Sequence, residues 1–282
     1  MQIHWYPGHM AKAKRELVEQ LKRVDIVIEL CDARLPISSR NPDLSKLAQG
    51  KKRLLVLGKA DMADEQATRQ WVQLLKRQGI DAISFNAVRG RASEVLQRID
   101  VLTADAVSRA AARGIRKTVR AMVVGIPNVG KSTFINRLHG SAIARAEDRP
   151  GVTRANRWVR VSPHLELLDT PGLLWPKLDD QQAAQRLAWL GTIRDEILDS
   201  EGLAISLLDY LMTLTPSATA QRYKISDPSL RGDALLEAAC LGRGFLLPGG
   251  VADRTRGASV ILDEFRAGRI GRITLERGTG RA

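Results

Sequence analysis

A glycine-rich loop at residues 125–132, GIPNVGKS, constrains the fold of this chain more than any other feature. It fits the pattern G-x-x-x-x-G-K-[ST], follows a short apolar run at 121–125 and opens a helical pattern that continues to Arg137. In a strand–loop–helix of this kind, backbone N–H groups at the helix N-terminus point inward and bind phosphate. The alternative, an ordinary glycine turn, requires neither the strand nor the helix. The loop therefore predicts an α/β domain that binds a phosphorylated ligand.

Two residues of the loop and two segments downstream of it supply the groups that bind phosphate and metal. Lys131 would hold the β- and γ-phosphates, and Ser132 would ligate Mg²⁺. Asp169 begins a D-x-x-G segment after an apolar run at 165–168; it would approach Mg²⁺ through water, and the N–H of Gly172 would meet the γ-phosphate. Thr153 lies between the two motifs, where a second metal-ligating hydroxyl is needed. We therefore expect Mg²⁺ at Ser132, Thr153 and Asp169, with Lys131 and Thr153 serving catalysis.

A base-reading motif is expected at the end of another predicted strand, in the sequence LGKAD. It is similar to N-K-x-D, in which Asp61 would accept hydrogen bonds from guanine N1–H and the 2-amino group. Lys59 would lay its aliphatic stem over the base, and the segment Asn86–Ala87 would present a backbone N–H to guanine O6. Gly58 stands where the motif has Asn. This departure leaves an ATPase open as an alternative.

Short apolar runs alternate with helical patterns through the first two thirds of the chain, which indicates a mainly parallel sheet. Beyond about residue 176 the periodicity is helical, and Pro216 is one of the residues taken to separate the helices. We predict an α/β domain at 1–178 and a small, mostly α-helical domain at 179–282. The predicted strands are 24–30, 53–57, 82–85, 121–125 and 165–168, with an edge strand at 157–161; the predicted helices are 11–23 and 64–78, with helical periodicity in 181–213, 230–241 and 255–267.

The base-reading motifs precede the phosphate loop in this chain, whereas ordinary small GTPases have them after it. A sheet can keep its site while its chain is circularly permuted, because termini often lie close together. The D-x-x-G segment then leads straight into the helical domain. The order of motifs therefore predicts a circularly permuted P-loop GTPase domain whose nucleotide-sensing loop is covalently joined to the second domain.

The net charge of +13 is concentrated in the first half of the chain, where residues 1–120 hold 23 basic and 13 acidic side chains. Such an excess favours a polyanionic partner, either nucleic acid or an anionic membrane surface. No apolar run approaches the roughly 18 residues of a membrane span. The N-terminal residues lack the apolar stretch of a secretory signal. A soluble, cytoplasmic and monomeric protein is expected.

The segments WYPGHM (5–10), DAR (32–34), PISSRNP (36–42), GKAD, GIPNVGKST, DRPGVT and LLDTPGLLWPK resemble the circularly permuted, YlqF-type ribosome biogenesis GTPase A family. The resemblance covers roughly the first 180 residues. It implies a GTPase that acts in late assembly of the large ribosomal subunit, with the helical domain touching ribosomal RNA. The nucleotide-binding positions that it implies are Gly58, Lys59, Ala60, Asp61, Asn86, Ala87, Asn128, Val129, Gly130, Lys131, Ser132, Thr133 and Gly172.

The group that orients the attacking water has three candidates: His9, a K⁺ ion held near Asn128, and a group of the ribosomal RNA. Leu173 occupies the place where many GTPases carry a water-positioning Gln, and it cannot form a hydrogen bond. The family suggests the His of the PGHM segment, here His9, although His9 also fits a helix start or an RNA contact. Asn128 resembles the Asn of potassium-stimulated GTPases, which makes K⁺ a second cation to test, although Asn128 also fits an ordinary turn. A nucleotide-gated RNA-binding protein with negligible turnover remains the alternative function.

Overall fold

A six-stranded sheet forms the centre of the molecule in a computed structural model that describes residues 15–140, 156–172, 180–193 and 199–277. Its strand order is β3-β2-β1-β4-β6-β5. Neighbouring strands run parallel, except that β5 pairs antiparallel with β6. The strands are β1 (Ile26–Asp32), β2 (Lys52–Gly58), β3 (Ala82–Ser84), β4 (Val119–Val124), β5 (Arg157–Ser162) and β6 (Leu165–Asp169).

Strand β1 lies in the middle of the sheet because its residues are suited to burial on both faces. All seven of its residues are buried, and it pairs with β2 on one side and β4 on the other. Covered parallel strands read as nearly continuous apolar runs, which is the pattern seen in the sequence. The predictions of a mainly parallel sheet and of an edge strand at 157–161 are confirmed, with strand ends that differ by one or two residues.

Ten helical segments cover the sheet and build the second half of the described chain. Asp64 caps the N-terminus of helix α3, because its carboxylate accepts a hydrogen bond from the Ala67 N–H, and Gly79, with φ +75°, follows the cap at the other end. The helices are α1 (15–21), α2 (Leu44–Leu47), α3 (Glu65–Arg77), α4 (Ala92–Ala111), α5 (Lys131–His139), α6 (Gln181–Trp189), α7 (Ser200–Leu214), α8 (Pro216–Tyr223), α9 (Gly232–Arg243) and α10 (Arg254–Arg266).

Three of these helices, α2, α4 and α8, lie outside the helical segments predicted from the sequence, and α2 is a single turn of four residues. Helix α4 was not predicted, because only Val95, Ile99 and Thr103 along its 20 residues are buried, which leaves a weak apolar stripe. Pro216 was expected to separate helices, but it starts α8. Its fixed φ and missing N–H are compatible with the first turn of a helix, so proline marks the beginning of an element here.

The chain reverses its direction of travel across the sheet between β1 and β4. From β1 the chain steps outward through β2 and β3, then returns to the other side of β1 and continues through β4 to β6 and β5. In open α/β sheets, ligands bind where the strand order reverses, outside the carboxyl ends of the strands. The carboxyl ends of β1 and β4 therefore mark the place to look for a site.

The final described segment, residues 269–277, returns from the helical half to the sheet half. The Ile273 N–H donates to the carbonyl oxygen of Met62 at 3.0 Å, and the Leu275 N–H donates to that of Arg34 at 2.9 Å. The Trp71 indole Nε1 donates to the Glu276 carbonyl oxygen at 2.7 Å. We call residues 269–277 the C-terminal strap. Within the described ranges, no helix has the length and hydropathy to cross a membrane.

Candidate nucleotide-binding site

The phosphate loop follows β4 and crosses the end of β1 at close range. A Cβ on Gly125 would lie 2.4 Å from the carbonyl oxygen of Leu30, so only glycine fits there. Gly130 caps the N-terminus of α5 with φ +96°, a left-handed conformation that glycine adopts without strain. Asn128 also has a positive φ, +58°. These residues give the loop the shape that exposes its backbone at the start of α5.

Lys131, the first residue of α5, lies inside this loop with its ammonium group buried. Its Nζ donates to the carbonyl oxygens of Gly125 at 3.1 Å and Ile126 at 3.0 Å. Burial lowers the pKa of Lys131 to about 8, and the nearby Asp169 carboxylate only partly offsets this. A cation held in this way is a strong attractor for phosphate oxygens.

The metal-ligand candidates Ser132 and Asp169 are adjacent, although 37 residues separate them in the chain. Ser132 Oγ donates to Asp169 Oδ2 at 3.4 Å. Hydroxyl and carboxylate oxygens are the ligands that Mg²⁺ prefers, so this pair fits the ion. Among the described residues no group of three or more His, Cys, Asp or Glu side chains could hold a metal. A phosphate-loop metal needs no such group, because phosphate and water complete its shell.

The D-x-x-G segment is packed directly against the phosphate loop. A Cβ on Gly172 would lie 2.7 Å from Pro127 Cα and 2.8 Å from Pro127 N. Thr170, between Asp169 and Gly172, is fixed by a hydrogen bond from its Oγ1 to the Val123 carbonyl oxygen at 2.7 Å. The segment therefore approaches the loop as closely as its glycine allows.

The GKAD loop meets the phosphate loop through Lys59. Lys59 has φ +52°, and its Nζ donates to the Asn128 carbonyl oxygen at 2.6 Å. The Met62 N–H closes the turn on the Lys59 carbonyl oxygen, and the Ala60 N–H donates to that of Phe85 at 3.3 Å. The Lys59 stem thus spans the gap between the two loops, beside the half-buried Asp61.

The loop after β3 is shaped by Asn86. Its Oδ1 accepts hydrogen bonds from the N–H groups of Val88 at 2.8 Å and Arg89 at 3.0 Å. Arg137 of α5 donates to the Gly90 carbonyl oxygen at 3.0 Å, which ties this loop to the phosphate-loop helix. The chain from Asn86 to Gly90 therefore lies beside α5, the helix that follows the phosphate loop.

The comparisons with known proteins agree with this geometry. A family model described as "50S ribosome-binding GTPase" matches residues 120–226. Ribosome biogenesis GTPase A of Bacillus cereus is 45% identical over 278 residues, which is 98% of this chain and 94% of that protein. The chain belongs to the ribosome biogenesis GTPase A family. The protein of that name from Priestia megaterium is 43% identical, covering 98% of this chain and 97% of that protein.

A solved structure of the family has the same fold. The GNP-bound YlqF of T. maritima matches with a TM-score of 0.65 and 27% identity, covering 94% of this chain and 98% of that one. The predicted family and the predicted P-loop GTPase fold are therefore confirmed. The division into domains at residue 178 stays a prediction. The C-terminal strap follows the helical half in the sequence, but it contacts residues of the sheet half.

The structure brings most of the predicted site residues together at the carboxyl ends of β2, β3, β4 and β6. His9, Thr153 and Leu173 lie outside the described residues. Those gathered at this edge are Gly58, Lys59, Ala60, Asp61, Asn86, Ala87, Asn128, Val129, Gly130, Lys131, Ser132, Thr133, Asp169 and Gly172.

Gly58 is the position at which this chain departs from the motif. It is buried at the end of β2, and a Cβ there would lie 3.0 Å from Leu30 Cδ1 and 3.4 Å from the Cys31 carbonyl oxygen. An Asn side chain would enter only if Leu30 moved. The core packing around Gly58 is thus adapted to the absence of a side chain.

Several contacts at the site were not predicted from the sequence. The Asn128 Nδ2 donates to the Gly191 carbonyl oxygen at 2.7 Å, so the phosphate loop touches the turn after α6. Arg272 of the C-terminal strap donates to the carbonyl oxygens of Ala63 at 3.0 Å and Ala60 at 3.2 Å, on the GKAD loop.

Proposed function

We propose that this chain is a GTP hydrolase that acts in assembly of the large ribosomal subunit, and that its nucleotide state controls binding to the subunit precursor. One observation carries the proposal. The buried ammonium of Lys131, the Ser132–Asp169 pair and the Lys59 bridge lie at one edge of the sheet, where the strand order reverses. These are the parts that hold triphosphate, metal and base in a P-loop GTPase.

In this proposal the site residues divide between phosphate, metal and base. Lys131 and the N–H groups of residues 128–133 hold the phosphates, with Gly172 meeting the γ-phosphate. Ser132, Asp169 and Thr153 hold Mg²⁺, which neutralises charge on the phosphate oxygens when bound. Positions 58–61 and 86–87 contact guanine.

We assign the orientation of the attacking water to His9. A neutral imidazole accepts a hydrogen bond through a ring nitrogen, and an unperturbed His is mostly neutral at pH 7. His9 follows Pro7–Gly8 in the sequence, a pair of residues typical of turns, and we propose that His9 approaches the γ-phosphate when the protein binds a ribosomal surface. Hydrolysis would then depend on the bound subunit.

The second cation, K⁺, is proposed at Asn128. The amide nitrogen of Asn128 already donates to Gly191, so the ligand for K⁺ would be the amide oxygen. This contact makes potassium binding and the position of the helical half interdependent.

We place the protein in the cytoplasm as a monomer, with ribosomal RNA as the partner of its basic surfaces. Arg113 and Arg116, in the turn between α4 and β4, are exposed and add to the positive first half of the chain. Exposed arginines of this kind suit phosphate contacts. The helical half, joined to the D-x-x-G segment, is the second proposed RNA contact.

The proposal is tested by measuring turnover of GTP and of ATP, each with and without large ribosomal subunits. GTP hydrolysis that subunits stimulate is the expected result. Faster hydrolysis of ATP would identify an ATPase. Nucleotide-dependent co-sedimentation with subunits, without turnover, would identify a nucleotide-gated RNA-binding protein and overturn the enzymatic function.

A further inference from the structure

A buried ion pair between Asp32 and Arg34 lies at the end of β1, beside the nucleotide site. Arg34 Nε donates to Asp32 Oδ1 at 2.9 Å, and Arg34 Nη2 donates to Asp32 Oδ2 at 2.8 Å. Their side chains are 1% and 2% exposed, for Arg34 and Asp32 respectively. Burying two charges costs desolvation free energy, and a buried ion pair contributes little net stability. A bidentate buried pair beside a ligand site therefore suggests a role in the site.

Asp32 faces the lysine that bridges the two nucleotide loops. Asp32 Oδ2 lies 3.8 Å from Lys59 Nζ, the same nitrogen that donates to the Asn128 carbonyl oxygen. Burial alone would raise the pKa of Asp32, but Arg34 and Lys59 hold it below its ordinary value, so the carboxylate stays charged. The Lys59 ammonium group is thus held between the Asp32 carboxylate and the Asn128 carbonyl oxygen.

Arg34 connects this cluster to the helical half. Its Nη1 donates to the carbonyl oxygens of Phe265 at 3.0 Å and Arg266 at 3.2 Å, in the last turn of α10. Its guanidinium carbon lies 5.5 Å from the centre of the Phe265 ring. Carbonyl groups at a helix C-terminus have no partner inside the helix and carry partial negative charge, so the buried cation satisfies them.

The contacts continue back to the phosphate loop. Arg266 donates from Nε to the Trp189 carbonyl oxygen and from Nη2 to that of Ala188, both at 3.2 Å. Gly191 packs against the Arg266 guanidinium, and its carbonyl oxygen accepts from Asn128. A closed ring of contacts, polar except where Gly191 packs against Arg266, therefore starts and ends at Asn128 and passes through the helical half and Lys59.

We propose that Asp32 and Arg34 are positioning residues of the guanine site. Asp32 holds the Lys59 ammonium against the phosphate loop, and Arg34 fixes the Asp32 carboxylate while it binds the last turn of α10. Guanine affinity then depends on how the helical half is docked, and a bound nucleotide stabilises that docking. This inference rests on the proposed function, because it requires a guanine nucleotide at Lys59 and Asp61.

The test compares Asp32→Asn with Glu29→Gln in the full chain. Glu29 lies on the same strand, its side chain is 3% exposed, and it contacts Arg53 at 3.1 Å and Arg40 at 3.7 Å. It is therefore a matched buried carboxylate with no contact to Lys59 among those described. Affinities are measured by titration with fluorescent mant-GDP and mant-ADP, and stability by urea unfolding.

Asp32→Asn should weaken mant-GDP binding roughly tenfold, as expected for losing one charge-assisted contact, and should leave mant-ADP unchanged. Glu29→Gln should lower stability and leave both affinities unchanged. Equal mant-GDP affinities for Asp32→Asn and the natural chain would overturn the inference, as would equal losses in the two variants. A natural chain without preference for mant-GDP would overturn the proposed function itself, and the inference with it.

Hydrogen exchange tests the link to the helical half. Saturating GDP should slow exchange in the 270–277 peptide of the natural chain, because the Leu275 N–H donates to the Arg34 carbonyl oxygen. The effect should be absent in Asp32→Asn and retained in Glu29→Gln. If Asp32→Asn fails to fold, Arg34→Lys serves instead, since one ammonium group cannot reach both Asp32 oxygens and α10. Unchanged exchange and affinity in Arg34→Lys would overturn the inference.

Discussion

Replacing Lys131 by Met should stabilise the nucleotide-free protein at neutral pH while abolishing its function. The pKa of Lys131 is about 8 in the folded chain, against an ordinary value of 10.5. Each pKa unit corresponds to about 1.36 kcal/mol, so the folded state carries a cost of roughly 3 kcal/mol when the ammonium is charged. Met has similar length and no charge, and removes this cost together with the two hydrogen bonds that Lys131 donates.

The pH dependence separates the charge from the hydrogen bonds. Below pH 8 the side chain is protonated in both the folded and the unfolded chain, and the cost is fully present. Between pH 8 and 10.5 the unfolded chain binds more protons, so the stability of the natural protein rises with pH. From pH 7 to pH 10 the advantage of Lys131→Met should therefore shrink by about 2.5 kcal/mol.

Urea unfolding of both proteins at pH 7, 8, 9 and 10 measures this difference, and other titrating groups cancel between them. A difference in unfolding free energy that stays constant over this range would refute the idea that Lys131 is held as a desolvated cation. GTP titration of the same variant should show more than a tenfold loss of affinity, since a charge-assisted contact contributes about 1.5–3 kcal/mol.

Substitutions at four further positions test other parts of the site. Ser132→Ala should weaken Mg²⁺-dependent GTP binding more than tenfold while changing binding in EDTA little, and equal effects in both buffers would remove the metal role. Gly58→Asn should tighten GTP severalfold and lower the melting temperature as Leu30 moves, whereas Gly58→Ala should only destabilise; calorimetry and titration measure both. Gly172→Ala forces a Cβ onto Pro127, so GTP should lose its advantage over GDP in competition titrations, and a retained advantage would contradict the γ-phosphate contact. His9→Ala should keep GTP affinity and lose roughly ten- to hundredfold of the subunit-stimulated rate, whereas loss of subunit binding alone would make His9 a contact residue.

The parts of the fold that the sequence predicts are those encoded locally. The phosphate loop needs Gly125 and Gly130 at fixed places, and each strand is a contiguous apolar run, so both can be read from a few neighbouring residues. Helix α4 was missed because most of its surface faces solvent and its apolar period is weak. A helical period of apolar residues appears in the sequence only where one face of the helix is buried, and α4 buries few of its side chains.

The contacts that connect the two halves could not be predicted in the same way. Arg34 binds carbonyl groups 231 and 232 residues away, and Asn128 binds one 63 residues away. Backbone carbonyl groups occur at every residue and leave no trace in the sequence, so an arginine that binds them looks like any other arginine. The DAR segment drew notice only through its resemblance to a family, without a role.

The C-terminal strap makes the order of synthesis matter for this protein. Asp169 completes the last strand of the sheet, but Glu276, whose carboxylate accepts hydrogen bonds from the Ile37 and Ser38 N–H groups, is translated 107 residues later. At about 5–20 residues per second, roughly 5 to 20 seconds pass between these two events. During that time all six strands have been synthesised, but the GKAD loop lacks its contacts with the C-terminal strap. Until residues 269–277 have been synthesised, a nascent chain therefore lacks the strap contacts of Arg272 and Glu276, although every strand of its sheet is already present.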